Sequence, residues 1–258
     1  DNLGRVGALV LRNIDQLTSL SGFSALAEIG PSEGAQLGAL VINNCDRLTS
    51  LGLDNLGGSI DQFVLNGNDT LQFLEEWPGL EFISRMNIIE NGVLASVGNL
   101  PPITIVELRV RGNNELSVLD YSSLNAIGQP DLIGSIFIEA NPRLSGIFFP
   151  AVTKMNALEI IDNGATAPGS FNLDSFSALE WLDTLTLLNN ANLSECGGLT
   201  RLLDDVDDGE PGPGPGPDGI PDLLTVHIEN NLAGCNSAAE ILDSGGDTPF
   251  IFDDGFED

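Results

Sequence analysis

Short apolar segments followed by a polar corner recur along this chain. In residues 37–57, LGALVINNCDRLTSLGLDNLG, two apolar residues, Leu40 and Ile42, precede a corner at Cys45, and leucines then return at a slower spacing. Residues two apart in a strand lie on one side of it, so this pair points inward. The later leucines follow neither a helical nor a strand period. The pattern predicts a strand, a turn and a return wall, which together form one coil of a solenoid.

The same pattern occurs nine times, and the second apolar positions lie 31, 23, 23, 22, 28, 22, 27 and 41 residues apart. One coil cannot bury its own apolar face, so the coils must stack. A buried Asn at each corner satisfies backbone groups of the neighbouring coils, which predicts an asparagine ladder. Ile14 and Cys45 stand at the first two corners. The predicted ladder consists of Asn68, Asn91, Asn113, Asn141, Asn163, Asn190 and Asn231.

The predicted fold class is mainly β: a right-handed, leucine-rich-repeat-like solenoid over residues 1–245, with one long parallel sheet of about nine strands. Coils longer than 22 or 23 residues indicate loop insertions, as at 30–36 and 128–134. A serine before an Ala-Glu-Ile-Leu run in 237–245 predicts a short helix that caps the C-terminal end. Residues 246–258 form an acidic, aromatic tail.

The repeat resembles the receptor L domain, the leucine-rich-repeat-like β-helix of insulin and epidermal growth factor receptors, and is most similar to its free-standing bacterial relatives. The resemblance rests on the segments LVINNCDRLTSLGLDNL, IFIEANPRLSGI, LTLLNNANLSECGGL and HIENNLAGCNSAAEIL, and covers about residues 3–240. Variable coil length and Ile-Gly endings favour it over an ordinary leucine-rich repeat. It implies binding and scaffolding at a cell surface rather than catalysis. No ligand-contact residue of the family transfers to this chain.

The charge is strongly acidic: 38 Asp and Glu against 9 Lys and Arg, for a net charge of −29 in 258 residues. Binding to nucleic acid or to an anionic membrane needs clusters of basic residues, so this balance argues against both partners. No apolar run has the length of a transmembrane segment. We expect an exported, extracellular or cell-surface protein whose leader peptide is not part of this chain.

The chain contains three cysteines, so at most one disulfide forms within it. Cys196 and Cys235 follow the last two Asn corners, and adjacent coils lie about 4.8 Å apart. This placement predicts a disulfide and an oxidising environment. The alternative is two separate buried thiols. Cys45, at a ladder position, is predicted to be a small buried residue rather than a nucleophile.

An acidic Gly/Pro segment, residues 204–222, separates the last two coils and is predicted to be an inserted loop because Gly-Pro alternation cannot form helix or sheet. Hard cations prefer oxygen ligands, so the loop is a candidate calcium site. The alternative is a solvated, flexible loop. The tail at 246–258 is either a sorting or anchoring signal or an arm that packs Phe250 and Phe252 on the body. The calcium candidates are Asp204, Asp205, Asp207, Asp208, Asp218 and Asp222.

Outward-facing strand positions carry four of the nine basic residues. Arginine forks beside an aromatic ring form a recognition surface for an acidic group or a sugar. The alternative is cross-strand charge pairing that keeps an exposed sheet soluble. The ligand-binding candidates are Arg85, Arg109, Arg111, Phe137 and Glu139.

These features predict a non-catalytic binding or adhesion module with an unidentified protein or glycan ligand, no cofactor other than calcium, and no catalytic residue. The alternative is a polysaccharide lyase or hydrolase built on a β-helix, because Glu107, Arg109 and Glu139 imitate the charged residues of such enzymes. His227 has no evident Ser or Cys partner, so a catalytic triad is not predicted.

Overall fold

The chain folds into a parallel β-solenoid of about eight turns, as the repeat predicts. The computed structural model describes residues 3–30, 38–98, 100–129, 132–207 and 225–244. The inward pairs of the middle coils, such as Leu40 and Ile42 or Leu108 and Val110, are fully buried. In chain order the strands are β1 (Arg5–Val6), β2 (Leu9–Arg12), β3 (Glu28–Ile29), β4 (Gly38–Asn43), β5 (Gly57–Asn66), β6 (Phe73–Leu74), β7 (Gly79–Ile89), β8 (Ser96–Val97), β9 (Thr104–Arg111), β10 (Val118–Asp120), β11 (Ala126–Gln129), β12 (Leu132–Ile133), β13 (Ser135–Glu139), β14 (Gly146–Phe148), β15 (Lys154–Ile161), β16 (Phe171–Asn172), β17 (Trp181–Leu188), β18 (Leu193–Glu195) and β19 (Thr225–Glu229).

The main sheet contains the nine predicted strands in coil order, β2, β4, β5, β7, β9, β13, β15, β17 and β19, all parallel. Equivalent positions of the repeat lie side by side: Leu40 is opposite Leu9 on one side and Phe63 on the other. The register therefore stacks each inward apolar residue on its equivalent in the next coil, which produces one continuous core.

The return walls are short. β6, β8, β10 and β14 form a second parallel sheet, and β1–β3 and β16–β18 are two-stranded. A leucine lies three residues after seven of the nine corners and closes a turn. The Leu71 N–H donates to the backbone carbonyl oxygen of Asn68, and the Leu94 N–H donates to that of Asn91. Leu71 and Leu94 are fully buried, so the slow leucine spacing serves both the turn and the core.

The asparagine ladder is present at all seven predicted corners. The Asn91 backbone N–H and side-chain Nδ2 both donate to Oδ1 of Asn113, each at 3.1 Å, and Asn113 donates in the same way to Asn141. Cys45 ends the ladder, where its N–H donates to Oδ1 of Asn68. At the other end Asn231 donates its N–H to Asn236. The corners therefore hydrogen-bond coil to coil along the solenoid.

The residue just before each corner has a left-handed backbone, a feature that the sequence pattern did not predict. This position is occupied by Asn13, Asn44, Gly67, Glu90, Gly112, Ala140, Asp162, Asn189 and Asn230, and φ lies between 52° and 66° in all nine. Gly and Asn adopt this conformation readily, whereas Glu90 and Ala140 are strained there. The conformation therefore follows the position in the coil and not the residue type.

Two helices cover the C-terminal end: α1 (Thr200–Asp207) and α2 (Ala238–Ser244), which pack on each other. α2 confirms the predicted capping helix, and the Ser237 hydroxyl caps it by accepting the N–H of Glu240 at 3.1 Å. The predicted loop at 204–222 is corrected at its start, because residues 204–207 belong to helix α1. Leu202 and Leu203 bury their side chains, and Gly-Pro alternation begins only after this helix. Three short 3-10 helices lie at Ser21–Phe23, Asp174–Phe176 and Gly197–Leu199.

The predicted disulfide joins Cys196 to Cys235, with the alpha carbons 5.7 Å apart. It connects the end of β18 to the turn after β19 beneath the two helices. Cys45 is a free, fully buried thiol. Within the described ranges, no helix combines the length and the apolar content required to cross a bilayer.

Candidate functional site

The candidate residues lie on the outer face of the main sheet, on the adjacent strands β9 and β13. Strand alternation turns Leu108 inward and Arg109 outward. The register places Arg109 opposite Phe137, and Arg111 opposite Glu139. Residues 28 positions apart in the sequence are therefore neighbours on the sheet. We call these four residues the arginine patch: Arg109, Arg111, Phe137 and Glu139.

Arg109 stacks on an aromatic ring. Its Cζ lies 4.7 Å from the ring centroid of Phe137, which is within the range of a favourable cation–π contact. Among the described residues, Arg109 has no carboxylate within ion-pair distance. Its guanidinium thus lies over a ring while its hydrogen-bond donors remain available at the surface.

The other half of the patch is already paired. Arg111 Nε lies 3.7 Å from Glu139 Oε2, with the arginine side chain 54% and the glutamate side chain 24% exposed. This contact is the cross-strand charge pairing that the alternative predicted. An exposed pair of this kind contributes little to stability, about 0–1 kcal/mol. It does fix the position of the arginine beside Arg109.

Arg85 stands apart from the patch. It lies on β7 opposite Glu107, but its guanidinium contacts Asp61 of the preceding coil at 3.3 Å. Its charge is therefore compensated on the side away from Arg109. Of the five predicted ligand-binding residues, the structure brings four together and leaves Arg85 at the margin.

The middle outward row continues on both sides of the patch. Asn87 precedes Arg109, and Glu159 and Thr186 follow Phe137 toward the C-terminal end. His227 ends the row, where its Nε2 lies 3.5 Å from a carboxylate oxygen of Glu229. From Asn87 to His227 the row is therefore polar, and Phe137 is the only Phe, Tyr or Trp in it. On the N-terminal side of Asn87 the row continues as Val64, Val41 and Val10.

Cys45 has no features of a nucleophile. Burial raises the pKa of its thiol, and the sulfur accepts the backbone N–H of Ile14. The thiol donates to the carbonyl oxygen of Asn43 at 3.6 Å. Cys45 thus replaces a ladder asparagine with weaker hydrogen bonds at the end where the ladder stops.

The predicted calcium site remains a prediction. The backbone of 204–207 is helical, but the side chains of Asp204, Asp205 and Asp207 are not described. Asp208, Asp218 and Asp222 lie outside the described residues, as does the tail at 246–258. No cluster of three or more His, Cys, Asp or Glu side chains suited to a metal occurs in the described ranges.

The structure also contains a cleft that the sequence did not predict. It has a volume of about 480 Å³ and lies at the N-terminal ends of the middle strands, against β11. Its lining includes Lys154, which is the only lysine of the chain. Two features of the sequence mark this cleft: the lone lysine and the insertion at 128–134, which by itself predicts only a long loop.

Comparisons with protein-family models, curated proteins and solved structures give no match. The chemistry of the sheet face and of the cleft is the basis for a functional proposal.

Proposed function

We propose that this protein is a non-catalytic binding or adhesion module, related in design to the receptor L domain, that binds a protein or glycan ligand on its sheet face. The observation that carries the proposal is Arg109, stacked on Phe137 and without a carboxylate partner in the described part of the chain. A stacked guanidinium is pre-organised for a bidentate contact with a carboxylate, and aromatic and arginine residues are the commonest anchors of binding surfaces.

The ligand that fits this surface presents one acidic group within an otherwise uncharged contact area. A polyanion would be repelled by the net charge of −29. A single carboxylate aimed at Arg109 meets a local positive charge, while Glu139 and Glu159, both next to Phe137, disfavour a second one. A sialylated or uronic-acid glycan and an acidic peptide side chain both have this form.

An extracellular location is part of the proposal. A buried disulfide that links the two last coils is typical of proteins exposed to an oxidising compartment. The regular stacking of nine parallel strands with an asparagine ladder supports the resemblance to the receptor L domain. Anchoring through residues 246–258 remains part of the same hypothesis.

The test is a glycan and peptide array with the purified chain, followed by affinity measurements on any hit. Arg109→Glu with Arg111→Glu should weaken binding by about 30-fold or more, the effect of losing a central binding residue. Arg109→Gln tests the same contact without adding a negative charge. Circular dichroism should show an unchanged fold in both variants.

The matched control is Arg47→Glu with Arg143→Glu, which makes the same change in net charge away from the sheet face. Arg47 contacts Gln16 and Arg143 pairs with Glu115 in the turns after the corners. Binding that survives the patch substitutions, or falls equally in the control, would contradict the proposal. A time-dependent loss of polymer mass in a polysaccharide digest would instead support a lyase or hydrolase.

A further inference from the structure

The cleft at the start of the middle strands is formed by a divergence of the sheet. β9 pairs with β11 at Thr104 and Ile105, and with β13 from Glu107 onward. β11 then turns back through an antiparallel pairing with β12. Residues 125–129, which include β11, form one wall of the cleft, while residues 151, 153 and 154 form another.

Polar side chains without partners converge on this cleft. Glu81, Thr104, Gln129, Thr153 and Lys154 line it, and none makes a side-chain hydrogen bond or ion pair to a residue that the structure describes. Asn125 also lines the cleft and donates only to the carbonyl oxygen of Pro102, so its Oδ1 remains free to accept. These groups provide donors and acceptors in several directions around one space.

Lys154 differs from most of the other basic residues. Five arginines lie within 4.0 Å of a carboxylate: Arg5, Arg85, Arg111, Arg143 and Arg201. Lys154 has no such partner among the described residues, although the chain holds 38 acidic residues. Lys154 and Glu81 both line the cleft, so the formal charges of the lining sum to zero.

The apolar part of the lining completes the site. Ile127 is buried and Phe82 is half-buried at the same cleft. A volume of about 480 Å³ falls within the roughly 300–1,000 Å³ of small-molecule sites. Such sites combine apolar walls with a few polar groups that fix orientation.

We infer that this cleft binds a short neutral saccharide. Hydroxyl groups both donate and accept hydrogen bonds, and they match the mixture of amides, hydroxyls, one carboxylate and one ammonium group found here. Phe82 provides a surface for the apolar face of a sugar ring. A polyanionic saccharide is disfavoured because Glu81 offsets Lys154 and the whole chain is strongly negative.

The inference is independent of the arginine patch. Thr104 precedes Arg109 by five residues on β9, about 17 Å along the strand at 3.3 Å per residue. A saccharide in the cleft and an acidic group at Arg109 therefore occupy separate sites on the same face.

Because Lys154 is the only lysine of the chain, ligand binding in the cleft can be measured directly at its side chain. Reductive methylation with ¹³C-formaldehyde labels Lys154 and the α-amine of the purified chain, and leaves both groups cationic. The Lys154→Arg variant retains only the α-amine signal and so assigns the two. The labelled full chain is titrated with neutral trisaccharides: maltotriose, cellotriose, mannotriose and N-acetylchitotriose.

The expected result is a saturable shift of the Lys154 signal with at least one trisaccharide, while the α-amine signal does not move. Thr104→Ala with Gln129→Ala should weaken that affinity by about tenfold, since two hydrogen bonds are lost. Arg109→Glu with Arg111→Glu should leave it unchanged.

Two results would overturn the inference. The first is the absence of a Lys154 shift at about 10 mM of every trisaccharide, a concentration that reveals a 1 mM Kd. The second is a shift that the patch substitutions abolish and the cleft substitutions do not affect. That second result would place the sugar at the arginine patch and not in the cleft.

Discussion

Replacing Asn113 by alanine removes a middle rung of the ladder. Oδ1 of Asn113 accepts from the backbone N–H and from Nδ2 of Asn91, each at 3.1 Å. Nδ2 of Asn113 donates to the carbonyl oxygens of Ile88 and Arg111 at 3.0 and 3.1 Å and to Oδ1 of Asn141 at 3.2 Å. The side chain is 0% exposed, so bulk water does not replace the lost partners.

The magnitude follows from the groups left unpaired. The buried N–H of Asn91 loses its acceptor, which costs about 1–3 kcal/mol. The two carbonyl oxygens each lose a donor, at about 1 kcal/mol apiece. The expected loss is about 3–5 kcal/mol in the free energy of unfolding, a large part of the roughly 5–15 kcal/mol that stabilises a domain.

Urea unfolding followed by circular dichroism measures this loss. The Asn113→Ala midpoint should fall by about 1–2 M, given an m-value of about 3 kcal/mol/M. The control is Asn114→Ala, at the neighbouring residue, which is exposed and makes no side-chain hydrogen bond within the described ranges. Equal midpoints for the two variants would refute the view that the ladder holds the coils together.

Three further predictions concern the disulfide, the strained corners and the buried thiol. Cys196→Ser with Cys235→Ser should lower the free energy of unfolding by about 4 kcal/mol, because the lost cross-link spans 39 residues. A thiol assay that finds three free thiols in the denatured, unreduced wild-type protein would contradict the disulfide. Ala140→Gly should raise stability by about 0.5–1 kcal/mol because φ is 52° there, whereas Ala165→Gly, whose φ is not positive, should lower it. Burial raises the pKa of Cys45, so the folded state holds this proton more tightly than the unfolded state. Stability should therefore fall as pH rises above about 8.5, the usual thiol pKa, and Cys45→Ala should flatten that decline in urea midpoints between pH 8 and 10.

The sequence alone predicted the repeat and the structural features that follow from it. Strand alternation assigned Leu108 to the core and Arg109 to the surface, and the fixed place of Asn in each coil predicted the ladder. The cysteine positions predicted the disulfide for the same reason. Coils that stack in register place residues at similar positions of adjacent coils close together. These features repeat from coil to coil, so one local rule describes them all.

The tertiary structure alone decided how individual surface groups pair. The sequence places Arg85 beside Glu107 in register, yet its guanidinium turns to Asp61 on the other side. Long side chains on a solvated surface choose among several partners of similar energy, and a repeat pattern does not distinguish them. The left-handed backbone at Glu90 and Ala140 also goes against the preference of those residues and follows their position in the coil.

The cleft is the clearest case of information that arises only on folding. Its lining extends from Glu81 to Lys154 and draws on four successive coils. The β11–β12 hairpin breaks the repeat, so the register rule that predicts the rest of the sheet does not apply there. The sequence determined that a solenoid forms and which residues face outward. The departure of one coil from the repeat determined where a cavity opens, because only stacking brings those distant coils around it.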